Sequence, residues 1–328
     1  MQLCRRLMIA SCLSIGVIGA AAAQEGAFLG GKTMKIVVPF AAGGAQDVIA
    51  RLIAEKLSPR LGNTIIIENK GGAAGIPAAD SVAKAEPDGG TLLMATGGAI
   101  TIAPNRPQKL PYDPIGDFAS VALLADTPMV IGVGTQSRYA TLADLIADAR
   151  RRPGELTYAS TGAGTISNLT GEMLSQALDI KLVHVPYRGA GPAFPDLMSG
   201  RIDAMVTSSA SIDPIVTGGQ ARVLATFTAS RLANFSGVPT IGEAANLKGL
   251  EVPSWVGILA PAKTPAPVIE RLARELAAIC DEADTQERFA KIGALRTCGN
   301  PAALKTVIDQ DLERWKTVIA KGNIKLPE

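Results

Sequence analysis

The sequence predicts an α/β protein of two lobes, mainly because two kinds of segment alternate along it. From residue 34 onward, apolar, β-rich runs such as MKIVVPF, TIIIEN and TLLMAT are separated by stretches with helical spacing, such as DVIARLIAEKL and GIPAADSVAKA. The same order returns in LTYAS, ISNLTGEMLSQAL, KLVHVPY and IDAMVTS. Strands that alternate with helices of about 10 to 15 residues indicate βαβ units and mainly parallel sheets.

Two stretches interrupt this alternation and predict where the chain passes between the lobes. SVALLADTPMVIGVG contains two apolar runs in close succession with Pro128 between them, and EVPSWVGILAPAKTP places another apolar run after the β-rich ARVLATF. A chain that leaves one lobe, builds a second and returns makes two such crossings. We therefore expect residues 33–131 and 253–328 to form one lobe and residues 132–252 the other. Two sequential domains are the alternative organisation.

The first residues have the features of an export signal. MQLCRR is a short positive segment, LMIASCLSIGVIGA is apolar, and the Ala-rich end predicts cleavage after Ala23. A retained membrane anchor, a lipid-modified Cys12 and twin-arginine export are the alternatives. We expect residues 1–23 to be a cleaved signal peptide and residues 24–32 to be a flexible start of the mature chain. These features predict a periplasmic location.

The charge and the cysteines narrow the class of protein. The chain has 32 Lys and Arg against 30 Asp and Glu, and loss of the two leader arginines makes these numbers equal. A neutral chain without basic runs lacks the electrostatic footprint of a nucleic-acid or anionic-membrane binder. Cys4 and Cys12 leave with the leader, so an oxidising compartment favours a disulfide between Cys280 and Cys298. Two separate buried thiols are the alternative.

Residues 26–33, GAFLGGKT, match the phosphate-loop pattern G-x-x-x-x-G-K-[ST] letter for letter. That pattern binds nucleotide phosphates where a strand precedes it and a helix follows it. Here the leader precedes it and the strand-like MKIVVPF follows it, so the order of elements is reversed. We expect neither ATP nor another cofactor to bind. The sequence also lacks an H-E-x-x-H motif or a Cys/His cluster that would hold zinc.

Three strand ends, each followed by a Gly-rich turn and a helix start, predict the ligand site. They are VVPF-AAGGAQD, LTYAS-TGAGTISN and HVPY-RGAGPAF. Ligands of open parallel sheets lie outside the carboxyl ends of the strands, where the N–H groups and positive dipole ends of the following helices face them. One turn belongs to the expected first lobe and two to the second. Together they predict two walls of neutral N–H and O–H donors around an anion in a cleft.

Each of these features also has a purely structural interpretation. A single Gly-rich turn often serves backbone geometry alone. Asp47 is suited to cap a helix, Arg188 to be a surface charge, and His184, the only histidine, to pack inside a strand. The occurrence of three such turns on two lobes favours a binding site over this interpretation.

These segments together resemble the Bug family, the periplasmic solute receptors of tripartite tricarboxylate transporters. The resemblance rests on KIVVPFAAGGAQDVIARLIAEKL, IIIENKGGAAGIPAADSVAKAEPDGGTLLM, YASTGAGTISNLTGEML, VPYRGAGPA and WVGILAPAKTPAPVIERL, in the family's order over essentially the whole mature chain. It implies a two-lobed periplasmic binding protein fold, type II-like, with two crossover segments and a cleft that closes on a carboxylated solute. It also implies membrane permease subunits as partners, and we expect the receptor to be a monomer.

The resemblance further implies which residues bind the ligand. Family members hold a carboxylate mainly through backbone amides and bridging waters at the first loop, which here comprises Pro39, Phe40, Ala41, Ala42, Gly43, Gly44 and, near its end, Asp47. The other implied positions are Thr96, Gly97 and Gly98 in the first lobe, and Ser160, Thr161, Gly162, Gly164, Thr165, Tyr187, Arg188 and Gly189 in the second. Asp203 matches the family's usual acidic position, where it recognises an ammonium group or is structural. Arg188, Asp203 and Ser208 are candidate selectors at the far end of the cleft.

One position departs from the family pattern. Many relatives carry His in the helix after the second-lobe turn, in a pattern like G-S-x-x-H, where this chain has Gly164-Thr165-Ile166-Ser167-Asn168. Asn168 cannot acquire a positive charge. The identity of the ligand is therefore not transferable from a relative that has the histidine.

An exported α/β hydrolase that uses Ser160 or Ser208 is the competing class. A serine nucleophile needs an adjacent base that is oriented by a third group. The sequence has one histidine and no G-x-S-x-G elbow, so we expect no enzyme. A periplasmic sensor that passes its bound state to a signalling partner has the same fold and is a further alternative to transport.

Overall fold

The computed structural model describes residues 28–326, which form two β-sheets covered by helices. The predicted signal peptide, residues 1–23, lies outside the described residues, as do residues 24–27 of the segment expected to follow it. Phe28–Gly31 form a short 3-10 helix, and the first strand begins at Met34. Among the described residues, no helix is long and apolar enough to span a membrane.

Eleven strands occur within the described range. In chain order they are β1 (Met34–Val38), β2 (Ile65–Asn69), β3 (Thr91–Ala95), β4 (Phe118–Asp126), β5 (Met129–Gly134), β6 (Thr157–Ser160), β7 (Val183–Pro186), β8 (Ala204–Ser208), β9 (Ala221–Thr226), β10 (Trp255–Pro261) and β11 (Leu295–Gly299).

Ten α-helices lie in the same range. They are α1 (Ala45–Leu61), α2 (Ile76–Ala83), α3 (Leu142–Arg151), α4 (Ile166–Leu178), α5 (Phe194–Met198), α6 (Ser209–Thr217), α7 (Ile241–Ala245), α8 (Ala266–Asp281), α9 (Ala283–Lys291) and α10 (Pro301–Gly322).

Side-chain caps fix where several of these helices start. Thr141 and Thr240 open α3 and α7 with capping boxes, in which the cap hydroxyl and an acidic side chain three residues later satisfy each other's backbone N–H groups. Thr165 and Ser208 cap α4 and α6 with their hydroxyls. The α1 start has Gly44, which has no side chain to cap the helix, and the Ala45 N–H of its first turn instead donates to Ser211 of the second sheet's lobe.

The strand order is β11-β4-β10-β3-β1-β2 in the first sheet and β7-β6-β8-β5-β9 in the second. β1 runs parallel to β2 and β3, and β6 runs parallel to β7 and β8. β10 and β5 are antiparallel to both of their neighbours. The sheets are therefore mixed rather than mainly parallel, because β5 and β10 arrive directly from the other lobe, without a crossover helix to reverse them.

The two crossing segments lie side by side. The chain changes sheet between β4 and β5, at Thr127 and Pro128, and again just before β10. The Thr127 N–H donates to the Ser254 carbonyl at 2.8 Å, and the Ser254 N–H donates to the Asp126 carboxylate at 2.6 Å. We expect these two crossing segments to act as the hinge between the lobes. The limits at residues 131 and 253 remain a prediction for the lobes as moving units.

Apolar cores cover both faces of each sheet, and α10 contributes to both lobes. Leu304 and Ile308 pack in a cluster with Trp255 of the first sheet. Trp315, about two helical turns beyond Ile308, is fully buried in a cluster with Ile131 of the second sheet. The C-terminal helix thus lies across the hinge as a third connection.

The disulfide predicted from the sequence is present. Cys280, near the end of α8, is bonded to Cys298 of β11, with their Cα atoms 5.9 Å apart. The bond ties the outer strand of the first sheet to the helix that packs on it.

Candidate functional site

A small cavity of about 30 Å³ lies between the two sheets, at the edge where the strands of both lobes end. The first-lobe side is formed by the loops after β1 and β3 and by the segment before β10. The second-lobe side is formed by the ends of β6 and β8 and the start of β5. The lining residues are Phe40, Gln46, Thr96, Gly98 and Ser254 on the first side, and Met129, Thr161, Thr165, Ile166, Ser167, Ser208 and Ser211 on the second.

Three α-helices begin at this cavity. Gln46 lies in the first turn of α1, Thr165 caps α4, and Ser208 caps α6. Each helix start presents N–H groups without intrahelical partners and the positive end of the helix dipole. The arrangement concentrates positive potential without a cationic side chain.

The described lining residues include no Asp, Glu, Lys, Arg or His. Their polar groups are hydroxyls, one amide and backbone groups. An anion in this cavity is therefore met by neutral donors, so that no opposing full charge has to be desolvated.

The loop after β1 is held in shape by Asp47. The Asp47 carboxylate accepts from the Gly43 N–H at 3.1 Å, from the Asn69 amide at 3.0 Å and from Arg51 at 3.1 Å. Burial opposes ionisation of Asp47, but the hydrogen bonds from Arg51, Asn69 and Gly43 outweigh it and leave its pKa below the ordinary value. Asp47 does not line the cavity; it fixes the loop that does.

The turn after β6 is held by its own polar groups. The Thr165 hydroxyl donates to the Gly162 carbonyl at 2.7 Å, and the Thr161 N–H donates to Ser167 Oγ at 3.1 Å. The Gly164 N–H donates to the Asn168 amide oxygen at 2.9 Å. Gly162 has a φ of 144°, a value that favours glycine, which explains the Gly-rich character of this turn.

Asn168 is turned away from the interlobe cavity toward a second one. This rear cavity, of about 420 Å³, is lined by Ala163, Asn168, Glu172, Gln176, His184, Asn323, Ile324 and Lys325. The Asn168 amide donates to the Tyr158 hydroxyl at 3.0 Å, and its nitrogen lies 3.4 Å from His184 Nδ1. Asn168 thus connects the second-lobe turn to a polar network behind it.

Ser160 and His184 belong to the same network. Ser160 is fully buried, and its Oγ lies 2.7 Å from His184 Nε2 and 3.1 Å from the Gly162 N–H. The His184 ring stacks on Tyr158 with centroids 4.9 Å apart. Burial lowers the pKa of His184, with the nearby Glu172 carboxylate acting in the opposite direction.

The segment after β7 contacts the other lobe through its backbone. The Arg188 carbonyl accepts from the Ala41 N–H at 2.9 Å, and Gly189 lies against Ala41. The Tyr187 hydroxyl donates to Asp196 at 2.7 Å. Asp203 accepts from the Thr157 N–H at 2.8 Å and from its hydroxyl at 2.9 Å, so it braces β6 and does not line the cavity.

Six of the binding positions named from the sequence and its family pattern line the cavity: Phe40, Thr96, Gly98, Thr161, Thr165 and Ser208. The others shape or support the surrounding loops. Sequence reasoning missed Gln46, Met129, Ile166, Ser211 and Ser254, whereas Ser167 was expected as a hydroxyl donor of the second-lobe turn. Gln46, Ile166 and Ser211 lie in the first turns of the three helices. They could have been found by extending the predicted site from the residues named at the strand ends into the first turn of the helix that follows each of them. Ser254 lies in a crossing segment and gives no such signal.

The lobes contact each other at the rim of the cavity. The Ala45 N–H of the first lobe donates to Ser211 Oγ of the second at 3.0 Å, and Ser209 Oγ donates to the Gly293 carbonyl at 2.8 Å. Gly191 approaches the Ala42 carbonyl so closely that a Cβ at position 191 would lie 2.6 Å from that oxygen. The two lobes are therefore in direct contact through both backbone and side-chain groups.

Comparisons with known proteins agree with this architecture. Residues 49–324 match the model of the family described as tripartite tricarboxylate transporter family receptor. A UPF0065 protein from the tcbD-tcbE intergenic region of Pseudomonas sp. strain P51 is 38% identical over 285 residues, covering 87% of this chain and 84% of that protein.

Solved structures give the same result. The periplasmic binding protein BugD is 33% identical with a TM-score of 0.85, over 90% of this chain and 98% of that one. MatC from Rhodopseudomonas palustris, solved with bound malate, is 32% identical with a TM-score of 0.82, over 88% of this chain and 99% of that one. The two-lobed periplasmic binding protein fold expected from the sequence is confirmed, as is the resemblance to the Bug proteins.

Proposed function

Because this chain belongs to the tripartite tricarboxylate transporter receptor family, we propose that it binds a small carboxylate in the interlobe cavity and delivers it to membrane permease subunits. The observation that carries this proposal is the meeting of three α-helix starts at a cavity whose described lining has no ionisable side chain. Helix N-termini favour anions, and a carboxylate accepts several N–H and O–H bonds at once.

The residues named from the sequence divide into two roles in this proposal. Phe40, Thr96, Gly98, Thr161, Thr165 and Ser208 face the ligand. The remaining ones act through the loops: Asp47 holds the turn before α1, Asn168 holds the turn before α4, and Arg188 offers its carbonyl to the first lobe. A receptor of this kind is periplasmic, works as a monomer and presents its closed form to the permease, since hinge closure around a ligand changes the surface that a partner meets.

The contact between Ser160 and His184 is the feature that would otherwise favour a hydrolase. A nucleophile has to reach its substrate, whereas Ser160 is fully buried and its Oγ is engaged with the Gly162 backbone. The pair is better suited to bracing the second-lobe turn. We therefore assign binding rather than catalysis to this protein. Turnover of an ester or amide that disappears in Ser160→Ala would reverse that assignment.

The proposal is tested by native mass spectrometry of the periplasmic protein, followed by thermal shift against mono-, di- and tricarboxylates. The malate in MatC makes four-carbon acids the natural centre of the panel. A ligand that binds only the folded state raises the melting temperature, and the increase grows with the ratio of ligand concentration to Kd. We expect one group of acids to raise it while their uncharged amides do not. A panel without any shift, and a purified protein without retained mass, would contradict the carboxylate assignment.

A further inference from the structure

Gln46 is the one amide side chain among the described residues that line the interlobe cavity, and Thr96 is the other polar lining side chain there without a hydrogen-bond partner. Gln46 is the second residue of α1, is only 9% exposed and faces the cavity. Within residues 28–326 its amide has no hydrogen-bond partner, so one acceptor and two donors are free. Its amide therefore faces the cavity with its full hydrogen-bonding capacity available to a ligand.

The second-lobe hydroxyls across the cavity already have hydrogen-bond partners within the protein. Ser208 Oγ lies 2.8 Å from Ser211 Oγ, and Thr161 Oγ1 donates to Thr165 Oγ1 at 3.3 Å. Ser167 Oγ donates to the Val206 carbonyl at 2.6 Å. Each of these hydroxyls already makes at least one hydrogen bond within the second lobe. The Gln46 amide makes none within the described residues, so all of its donors and its acceptor are available to a ligand.

The same cavity has no partner for a cationic group. Among the described lining residues none is acidic, and the two aspartates named from the sequence do not line the cavity and are engaged elsewhere. Asp47 is held by Arg51 and Asn69, and Asp203 by Thr157. An ammonium group in the cavity would lose its hydration without gaining a counter-charge, which is costly in a buried site.

We propose that Gln46 is a specificity-determining residue, whose free amide binds an oxygen-bearing group of the ligand beyond the anchored carboxylate and selects against an ammonium group at that position. The inference rests on the proposed function and adds the ligand class: hydroxy acids or dicarboxylates, not amino acids. A carboxylate or hydroxyl oxygen accepts from the Gln46 NH₂, and a hydroxyl also donates to the Gln46 oxygen.

The test measures calorimetric affinities for malate and aspartate, which share a skeleton and exchange a hydroxyl for an ammonium group. The variants are Gln46→Met, which keeps the length and removes the amide, and Gln46→Glu, which adds a negative charge at the same size. Gln136→Glu, on an exposed loop, is the matched charge control. Adipate and 6-aminohexanoate form a second pair, in which an ammonium group replaces one of the two carboxylates. This pair is used if the wild type binds adipate in preference to malate.

We expect the wild type to bind the oxygen-bearing acid of the pair at least tenfold more tightly than its amino counterpart. Gln46→Met should weaken binding of that acid about tenfold, the effect of one lost buried hydrogen bond. Gln46→Glu should weaken binding of the same acid about a hundredfold. It should also reduce or invert the preference of the protein for that acid over its amino counterpart. Gln136→Glu should leave both affinities within about twofold.

Because the Gln46 amide makes no bond within the described residues, the unliganded Gln46→Met protein should melt at the wild-type temperature. A wild type that binds one of these acids while Gln46→Met and Gln46→Glu bind it equally well would overturn the role of Gln46 and leave the receptor assignment standing. Equal binding of acid and amino counterpart by the wild type would also overturn it. A wild type that binds no carboxylate of the wider panel would instead contradict the proposed function.

Discussion

His184 is the only histidine of the chain, so the histidine contribution to a change of stability near pH 6 comes from one side chain. Burial lowers the pKa of His184 in the folded protein, with Glu172 opposing. As the pH falls through the ordinary value of about 6.5, the unfolded chain therefore takes up a proton before the folded one. We expect the free energy of unfolding to fall between pH 7.5 and pH 5.5, as measured by urea denaturation, and this decline to be smaller in His184→Gln.

The control for this prediction is the same pair of proteins between pH 7.5 and pH 8.5, where the imidazole is neutral in both states and the two curves should be parallel. An identical decline in wild type and His184→Gln down to pH 5.5 would show that His184 is not the residue that titrates. The rear network around Ser160 would then have to be held together in another way.

The residue scale also shows what could be read from the sequence. Gly43, Gly162 and Gly164 adopt positive φ values, so their turns left a visible pattern. No sequence pattern showed which way the side chains of Gln46, Ser211 and Asn168 point. A side chain in the first turn of a helix faces the ligand or the lobe interior according to how the helix packs. Asn168 lies one turn beyond Thr165 yet points into the rear cavity.

Among the elements, α8 and β11 are joined by the disulfide, and this bond should contribute stability without affecting binding. It closes a loop with a sequence separation of 18 residues, for which the chain-entropy model gives about 3 kcal/mol. We expect the double variant Cys280→Ala, Cys298→Ala to lose about that amount in denaturant unfolding. Neither cysteine lines the interlobe cavity, so the Kd for the best carboxylate should stay within about twofold.

Reduced wild-type protein is the matched control for the double variant, since it keeps both side chains and lacks only the bond. Equal stability of oxidised and reduced protein would contradict the prediction. A large loss of ligand affinity in the double variant would mean that β11 influences the hinge.

Element order was predictable where strands and helices alternate, as from β1 to β3 and from β6 to β8. The antiparallel orientation of β5 and β10 was not, because it depends on the direction from which a crossing strand enters a sheet. The path of α10 was also hidden: its Leu304 and Trp315 have the same apolar character, although they pack in different lobes.

For the whole molecule, closure depends on close backbone approach between the lobes, and Gly191→Ala should hinder it. A Cβ at Gly191 would lie 2.6 Å from the Ala42 carbonyl of the other lobe, although its own backbone conformation accepts alanine. We expect weaker carboxylate binding, by about tenfold or more, and a larger radius of gyration with saturating ligand than the wild type has. Calorimetry and small-angle X-ray scattering measure the two effects.

Gly237→Ala is the matched control, because a Cβ at Gly237 meets no atom within 4 Å. It should bind and close as the wild type does. Wild-type affinity and wild-type dimensions in Gly191→Ala would contradict the idea that ligand binding requires the closed contact between the loop after β1 and the segment after β7.

The measurement that tests the central claim most directly is a crystal structure with the tightest-binding carboxylate of the panel. The account predicts one ligand carboxylate between the lobes, within hydrogen-bond distance of backbone N–H groups at the starts of α1, α4 or α6, with the rest of the ligand beside Gln46. A ligand held by the rear cavity, or one whose carboxylate is paired with an arginine or lysine side chain instead, would contradict it.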